Sequence, residues 1–229
     1  MTDAASSAMQ KDKDPRQSMN SMYKLTRHVY DASRKFYLLG RDHLIKTLNA
    51  EPGEHIIEVG CGTARNLIKM AQTYPQAHFY GMDAADEMLK TARQSLLRVQ
   101  LANKIPLMQG LAQTYDSADL LPEGTLPDKI VFSYVLSMIP EAPAAIDHAL
   151  DLLKDGGEIH IVDFGNLDGQ PAWFRAILVK WLDLFHVHHD PELLAYIREL
   201  GAEEAVDVNI QTLYNDYAYR AIIKKTSFS

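Results

Sequence analysis

From about position 55 the chain alternates short runs of β-branched and aromatic residues with longer stretches whose apolar residues recur three and four places apart. Ile56, Ile57 and Val59 open the series as a strand, and Leu67, Ile68 and Ala71 supply the inner face of a helix that ends at Tyr74-Pro75. Phe79, Tyr80 and Met82 sketch a second strand, and Met88, Leu89, Ala92, Leu96 and Val99 a second helix. Residues 105–109, 128–134 and 158–164 read as three further strands, with a helix over 144–154 that stops at Asp155-Gly156-Gly157. Strands separated by helices predict a right-handed, doubly wound, mostly parallel sheet of Rossmann-like α/β type. Residues 205–213 and 217–223 then alternate as paired strands across an Asn-Asp turn, adding a C-terminal antiparallel hairpin.

The pattern also divides the chain. Residues 1–20 are polar, alternate in charge and show no apolar period, the composition of a flexible arm. Over 21–50, Tyr23, Tyr30 and Tyr37 recur every seven residues, as do Arg27, Arg34 and Arg41, giving a helical segment one aromatic and one basic stripe. Lys24, Arg27, Arg34, Lys35, Arg41 and Lys46 against Asp31 and Asp42 give it a local charge of +4, and Gly40 splits it in two. It is either an amphipathic helix packed by its tyrosines or a lid that presents them to a ligand. Residues 51–229 form the remaining domain, with a helical insertion over about 166–200 that holds both tryptophans. There Trp173, Ile177, Trp181 and Phe185 recur every four residues beside Phe174, Leu178 and Leu182. Three roles fit so broad an apolar face: a core helix, a wall for an acyl chain, or an interfacial helix with Arg175 and Lys180 snorkelling.

With 229 residues and 47% hydrophobic composition, the chain can bury one good-sized core. Its single cysteine, Cys61, excludes an intramolecular disulfide and suits a reducing compartment. No apolar run of about 18 residues occurs and the first twenty positions are polar, so a cytoplasmic protein without a span or signal peptide is expected. A net charge of -7 argues against general nucleic-acid binding.

Candidate chemistry centres on residues 55–66, His-Ile-Ile-Glu-Val-Gly-Cys-Gly-Thr-Ala-Arg-Asn. Gly60 and Gly62 allow a sharp turn against which a ligand can lie. A dinucleotide fingerprint requires a small residue where Arg65 stands, which argues against NAD. Glu58, closing the strand before the glycines, suits a ligand with positive charge rather than a pyrophosphate. Asp83 ends the next strand roughly 20 residues on, where a carboxylate takes ribose hydroxyls or caps the following helix. Ser133 and Tyr134 close the fourth strand at the sheet's carboxyl end, and Asp163 near the end of the fifth either faces that site or caps a loop. His186, His188 and His189 invite a metal, but near-adjacent histidines converge poorly on one ion and no cysteine is nearby; none is expected, and His186 and His188 are better placed as polar substrate contacts.

Residues 55–66 with Asp83 resemble the cofactor motif of the class I methyltransferases, with Ala64 where many members have a third glycine. The resemblance implies S-adenosylmethionine as cofactor, held by Tyr30, Arg41, Glu58, Gly60, Cys61, Gly62, Thr63, Asn66, Asp83, Ala84, Met88, Ser133 and the adenine loop Leu111, Ala112 and Gln113. Leu111 departs from the acid often found there. Residues 22–42, from Met22-Tyr23 through Arg27-His28-Val29-Tyr30-Asp31 to Gly40-Arg41-Asp42, are similar to the N-terminal segment of the diacylglycerylhomoserine N-methyltransferases. That likeness implies a lipid substrate met at the inner membrane surface, with three methylations of one amine to a betaine. It implies positioning roles for Tyr23, Tyr30 and Tyr134, and substrate contacts from Tyr23, Arg34, Tyr37, Asp163, Trp173, Trp181, His186 and His188. Methyl transfer to a soluble phenol or quinone, or a non-catalytic cofactor-binding module, would share the same core.

Overall fold

The computed structural model describes residues 38–183, 191–202 and 204–227. Seven strands make one sheet among them: β1 (His55–Val59), β2 (His78–Asp83), β3 (Leu107–Gln109), β4 (Lys129–Ser133), β5 (Glu158–Phe164), β6 (Val206–Leu213) and β7 (Ala218–Lys225). Their order is β3-β2-β1-β4-β5-β7-β6, with only β7 antiparallel to β5 and β6 antiparallel to β7. This is the doubly wound sheet with a terminal hairpin that the alternation predicts. The chain winds outward from β1 in both directions, so the crevice between the carboxyl ends of β1 and β4 is the place where such a sheet receives a ligand.

Period-two burial fixes which helical layer each strand residue faces. Ile56 and Ile57 are both fully buried, but on opposite faces. Ile56, Phe79 and Val131 meet α1 (Arg41–Lys46), α2 (Arg65–Thr73) and α3 (Asp86–Arg98) through Leu44, Leu67, Met70 and Leu89. Ile57, Phe132 and Ile161 meet α4 (Ala142–Leu152) and α6 (Pro191–Leu200) through Ile146 and Ile197. Each such aliphatic side chain contributes about 1.5 to 3 kcal/mol of burial. At the amino ends of the strands, Lys129 and Glu54 form a largely buried pair at 2.6 Å and Asp128 accepts the His55 N–H, tying the end of the sheet away from the crevice.

Three expectations change. The third strand is shorter than 105–109 because Pro106 has no N–H to give a ladder, and the Ile105 N–H closes the preceding turn on the Leu101 carbonyl instead. The hairpin is not joined by a two-residue turn. Tyr214, Asn215 and Asp216 all stand in the left-handed region, with φ of 53, 56 and 64°. Finally, α5 (Ala172–Asp183) turns its neighbouring row inward: Leu178 is buried and Phe174 half-buried, whereas Trp173 and Ile177 are 67% and 63% exposed. Trp173 and Ile177 are therefore surface, not core.

The N-terminal arm expected over 1–20 and most of the 21–50 segment lie outside the described residues, as do Tyr23, Tyr30, Arg34, Tyr37, His186 and His188. Trp181 belongs to α5, but its side chain is outside the description. Among the described residues no helix is long and apolar enough to cross a membrane.

Candidate functional site

The loop after β1 is built on three left-handed residues, Gly60, Gly62 and Ala64, with φ of 71, 54 and 65°. Ala64 therefore holds a conformation that glycine would adopt freely, at a cost of about 1 kcal/mol, while its methyl joins the core. Asp83 locks this loop to the end of β2. Its Oδ2 accepts the Gly62 N–H at 2.8 Å and its Oδ1 accepts the Ala85 N–H at 2.9 Å. Each carboxylate oxygen has more than one acceptor site, so this anchoring is compatible with taking a ligand's hydroxyls as well. Asp83 therefore caps the loop, and its remaining acceptor sites are compatible with a ligand.

Glu58 is 2% exposed and lies on the α2 side of the sheet, where Asn66 donates to its Oε1 at 2.8 Å. Arg65 donates to Asn66 and also reaches Asp42, which Lys69 holds as well, at 2.8 and 2.9 Å. Burial works against the Asp42 charge, but the hydrogen bonds from Lys69 and Arg65 hold its carboxyl at about 2. A chain of polar contacts so joins α1, the helix after the glycines and the acid of β1. The Cys61 thiol is buried, and burial, followed by the charges of Asp83 and Glu58, pushes its pKa well up. It stays a protonated thiol and is no nucleophile.

Two pockets meet at Gly60. The larger, about 400 Å³ and mostly apolar, runs from Asp83 and Ala84 past Leu111, Ala112 and Gln113 to Tyr134, Val135 and Met138. The smaller is narrow and polar, and gathers Arg41, Glu58, Cys61, Gly62, Thr63, Asn66 and Ser133. Of the expected site residues, these two pockets hold Arg41, Glu58, Gly60, Cys61, Gly62, Thr63, Asn66, Asp83, Ala84, Leu111, Ala112, Gln113, Ser133 and Tyr134. The wall formed by Val135, Met138, Ile139 and Pro140 was not anticipated; an apolar run between a strand and a helix was its only trace in the sequence.

Three expected residues stand elsewhere. Met88 is buried in α3 and Trp173 projects from α5, and neither lines either pocket. Asp163 is 2% exposed and caps a loop, accepting the Ser137 N–H at 3.2 Å and the Phe164 N–H at 2.8 Å. Burial lifts its carboxyl from 3.8 to about 6 against the pull of those donors. The folded chain then binds this proton more tightly than the unfolded chain, so the stability it contributes is present at low pH and falls as pH rises from 3.8 to about 6. Asp163→Asn cannot titrate. Wild type is expected to gain on that variant as pH is lowered through this window, as measured by urea unfolding on either side of it; a constant difference would mean that the carboxyl ionises normally.

A family model described as a methyltransferase domain matches residues 50–216. Over 147 residues the chain is 26% identical to the demethylmenaquinone methyltransferase of Listeria monocytogenes serotype 4a (strain HCC23), covering 63% of this chain and 60% of that one. It is 25% identical over 178 residues to the phosphoethanolamine N-methyltransferase of Triticum aestivum, covering 76% and 34% respectively. The chain thus spans about 60% of the length of the former relative. Among solved structures, the plantazolicin methyltransferase BpumL in complex with a desmethylPZN analogue and SAH aligns with a TM-score of 0.65 at 14% identity, covering 93% of this chain and 96% of that one. The [4+2]-cyclase SpnF aligns with a TM-score of 0.72 at 12% identity, covering 93% and 97%. These likenesses establish the fold, and a cyclase among them shows that the fold alone does not fix the reaction.

Proposed function

The chain belongs to the methyltransferase-domain family, and on that footing we propose that it moves methyl groups from S-adenosylmethionine to the amine nitrogen of diacylglycerylhomoserine, ending at the trimethylated betaine lipid. The observation that carries the cofactor assignment is that Arg41 and Glu58 line one narrow pocket, which shares Gly60 with the apolar cleft. A cation and a carboxylate facing one space suit the two charges of an α-amino acid, Asp83 suits a ribose diol, and the Leu111–Gln113 side suits a flat base. Gly60 lets Val135 close over it as part of the cleft wall, since a Cβ there would strike Val135. When bound, S-adenosylmethionine would supply a methyl group on a sulfonium, the N–C bond forming from an amine lone pair as the C–S bond breaks and S-adenosylhomocysteine leaves. The chain's own task is then to hold the acceptor in line and keep water out, effects that supply about 7 to 11 kcal/mol.

The lipid amine is supported by three features. Residues 22–42 resemble the diacylglycerylhomoserine enzymes, the wheat relative is named a phosphoethanolamine N-methyltransferase, and α5 exposes Trp173 and Ile177 one turn apart on the same side of the helix as the exposed Lys180. Such a face suits peripheral docking on an anionic bilayer, with Lys180 at the headgroups and Trp173 and Ile177 below it. Trp173→Glu with Ile177→Glu is expected to weaken co-sedimentation with phosphatidylglycerol vesicles and leave cofactor affinity unchanged; unchanged sedimentation would remove α5 from the membrane. Tyr23, Arg34 and Tyr37 remain proposed acceptor contacts, with Tyr30 shared with the cofactor.

A second reading, methylation of a quinone, is favoured by the likeness to the Listeria protein. Release of S-adenosylhomocysteine with each acceptor in turn separates the two. Turnover with diacylglycerylhomoserine vesicles and none with demethylmenaquinone is expected; the reverse would replace the lipid by the quinone.

A further inference from the structure

The segment that carries Arg41 is gripped from two sides. The Tyr134 hydroxyl donates to the Leu39 carbonyl. Gly40, at φ 85°, lies so close to β5 and the hairpin that a Cβ would come within 3.0 Å of Val162 Cγ2, 3.2 Å of Leu213 Cδ1 and 3.7 Å of Tyr214 Cε2. Arg41 closes the corner on itself, its Nε donating to the Leu38 carbonyl at 3.2 Å, and then lines the polar pocket with Glu58.

What grips the corner is itself held under strain. Tyr134, Leu167, Tyr214, Asn215 and Asp216 are all non-glycine residues at positive φ, and they cluster at the carboxyl ends of β4 and β5 and in the β6–β7 turn. L side chains adopt that conformation at a cost and keep it only where surroundings impose it. The loop after β5 does so here. Gln170 Nε2 donates to the Tyr214 and Asn215 carbonyls at 2.9 and 2.7 Å, and the Leu167 N–H reaches the Asp216 carbonyl at 2.9 Å. Gly165 and Gly169 leave room for the turn, since a Cβ on either would meet a turn carbonyl at 2.4 or 2.5 Å. The two grips are also linked, through edge-on packing of Tyr134 on Phe164 at 4.7 Å and of Phe164 on Tyr217 at 6.1 Å.

We propose that Tyr134 and the β6–β7 turn form a clasp on Leu39 and Gly40 that aims Arg41, so that they set affinity for the amino-acid end of the cofactor while acting through another residue. This rests on the cofactor reading above. Tyr134 is accordingly a positioning residue whose hydroxyl is spent on Leu39, and the turn is a structural arm of the binding site rather than a passive edge of the sheet.

Two ligands separate this role from general damage: S-adenosylhomocysteine, and 5′-methylthioadenosine, which keeps the adenosine and thioether but lacks the amino acid. Tyr134→Phe and Gln170→Ala, titrated separately by calorimetry, are each expected to weaken S-adenosylhomocysteine roughly tenfold and leave methylthioadenosine within about twofold. In an Arg41→Ala background neither change should cost anything more, because the residue being aimed is gone. Equal losses on both ligands, no loss on either, or losses additive with Arg41→Ala would overturn the clasp. If the wild type binds both ligands and Arg41→Ala leaves S-adenosylhomocysteine unaffected, the cofactor reading stands and the clasp falls alone. A wild type that binds neither overturns the cofactor reading and the clasp together.

Discussion

Asp83→Ala is expected to weaken S-adenosylhomocysteine binding at least about a hundredfold, through loss of charge-assisted hydrogen bonds worth roughly 1.5 to 3 kcal/mol each to the ribose. The effect cannot be confined to the ligand. The same carboxylate accepts the Gly62 and Ala85 N–H groups, and alanine leaves both donors without it at a buried position. Each abandoned donor costs about 1 to 3 kcal/mol, so the variant should also unfold earlier, by about 5 to 15 °C for a chain of this size. The two losses are separable. Asp83→Asn retains one carbonyl oxygen, enough to hold one of the two N–H groups, so it should recover part of the stability while recovering little of the affinity. Calorimetry and thermal unfolding on both variants test this, and near wild-type affinity in Asp83→Ala would remove the residue from the ligand site.

Gly60→Ala carries the second large effect, for a reason the sequence could not supply. The space beside this glycine is filled by protein: an added Cβ would lie 2.3 Å from Val135 Cγ2 and 2.8 Å from Val135 Cβ. The backbone there is also left-handed, at φ 71°. Overpacking and an unsuitable φ together are expected to cost about 2 to 4 kcal/mol of stability and to displace Val135 from the wall of the cleft, with a further loss of cofactor affinity of more than about tenfold. Adding Val135→Ala removes the 2.3 Å clash with Cγ2, while the 2.8 Å approach to Cβ and the backbone strain remain. The double variant should therefore be more stable than Gly60→Ala alone; a double variant less stable than either single one would show that Val135 is not the obstacle.

These two residues show how far the sequence could be read. Gly60 and Asp83 were legible because a strand that ends in glycines and a strand that ends in an acid are local patterns, and the parallel register of β1 with β2 then brings Val59 beside Met82 without further instruction. Glu58 was legible in the same way, from its place in the alternation. What could not be read depends on contacts between distant segments. Val135 owes its place over Gly60 to the turn after β4, and Asp163 takes N–H groups from that same turn, 26 positions earlier in the chain. The left-handed run Tyr214–Asp216 looked like an ordinary turn because its support comes from Gln170, 44 and 45 positions away from its two acceptors. The row of Trp173 and Ile177 fitted core, wall and surface alike, since spacing along a helix shows which residues share a face but not what that face meets.

The central claim is that the acceptor is a lipid amine methylated repeatedly on nitrogen. Mass spectrometry of diacylglycerylhomoserine vesicles incubated with the protein and S-adenosylmethionine carrying a trideuterated methyl group tests it most directly. The expected result is successive appearance of singly, doubly and triply labelled lipid with all label on the headgroup nitrogen, converging on the betaine. Unlabelled lipid together with a single labelled methyl on the ring carbon of demethylmenaquinone, under the same conditions, would contradict it.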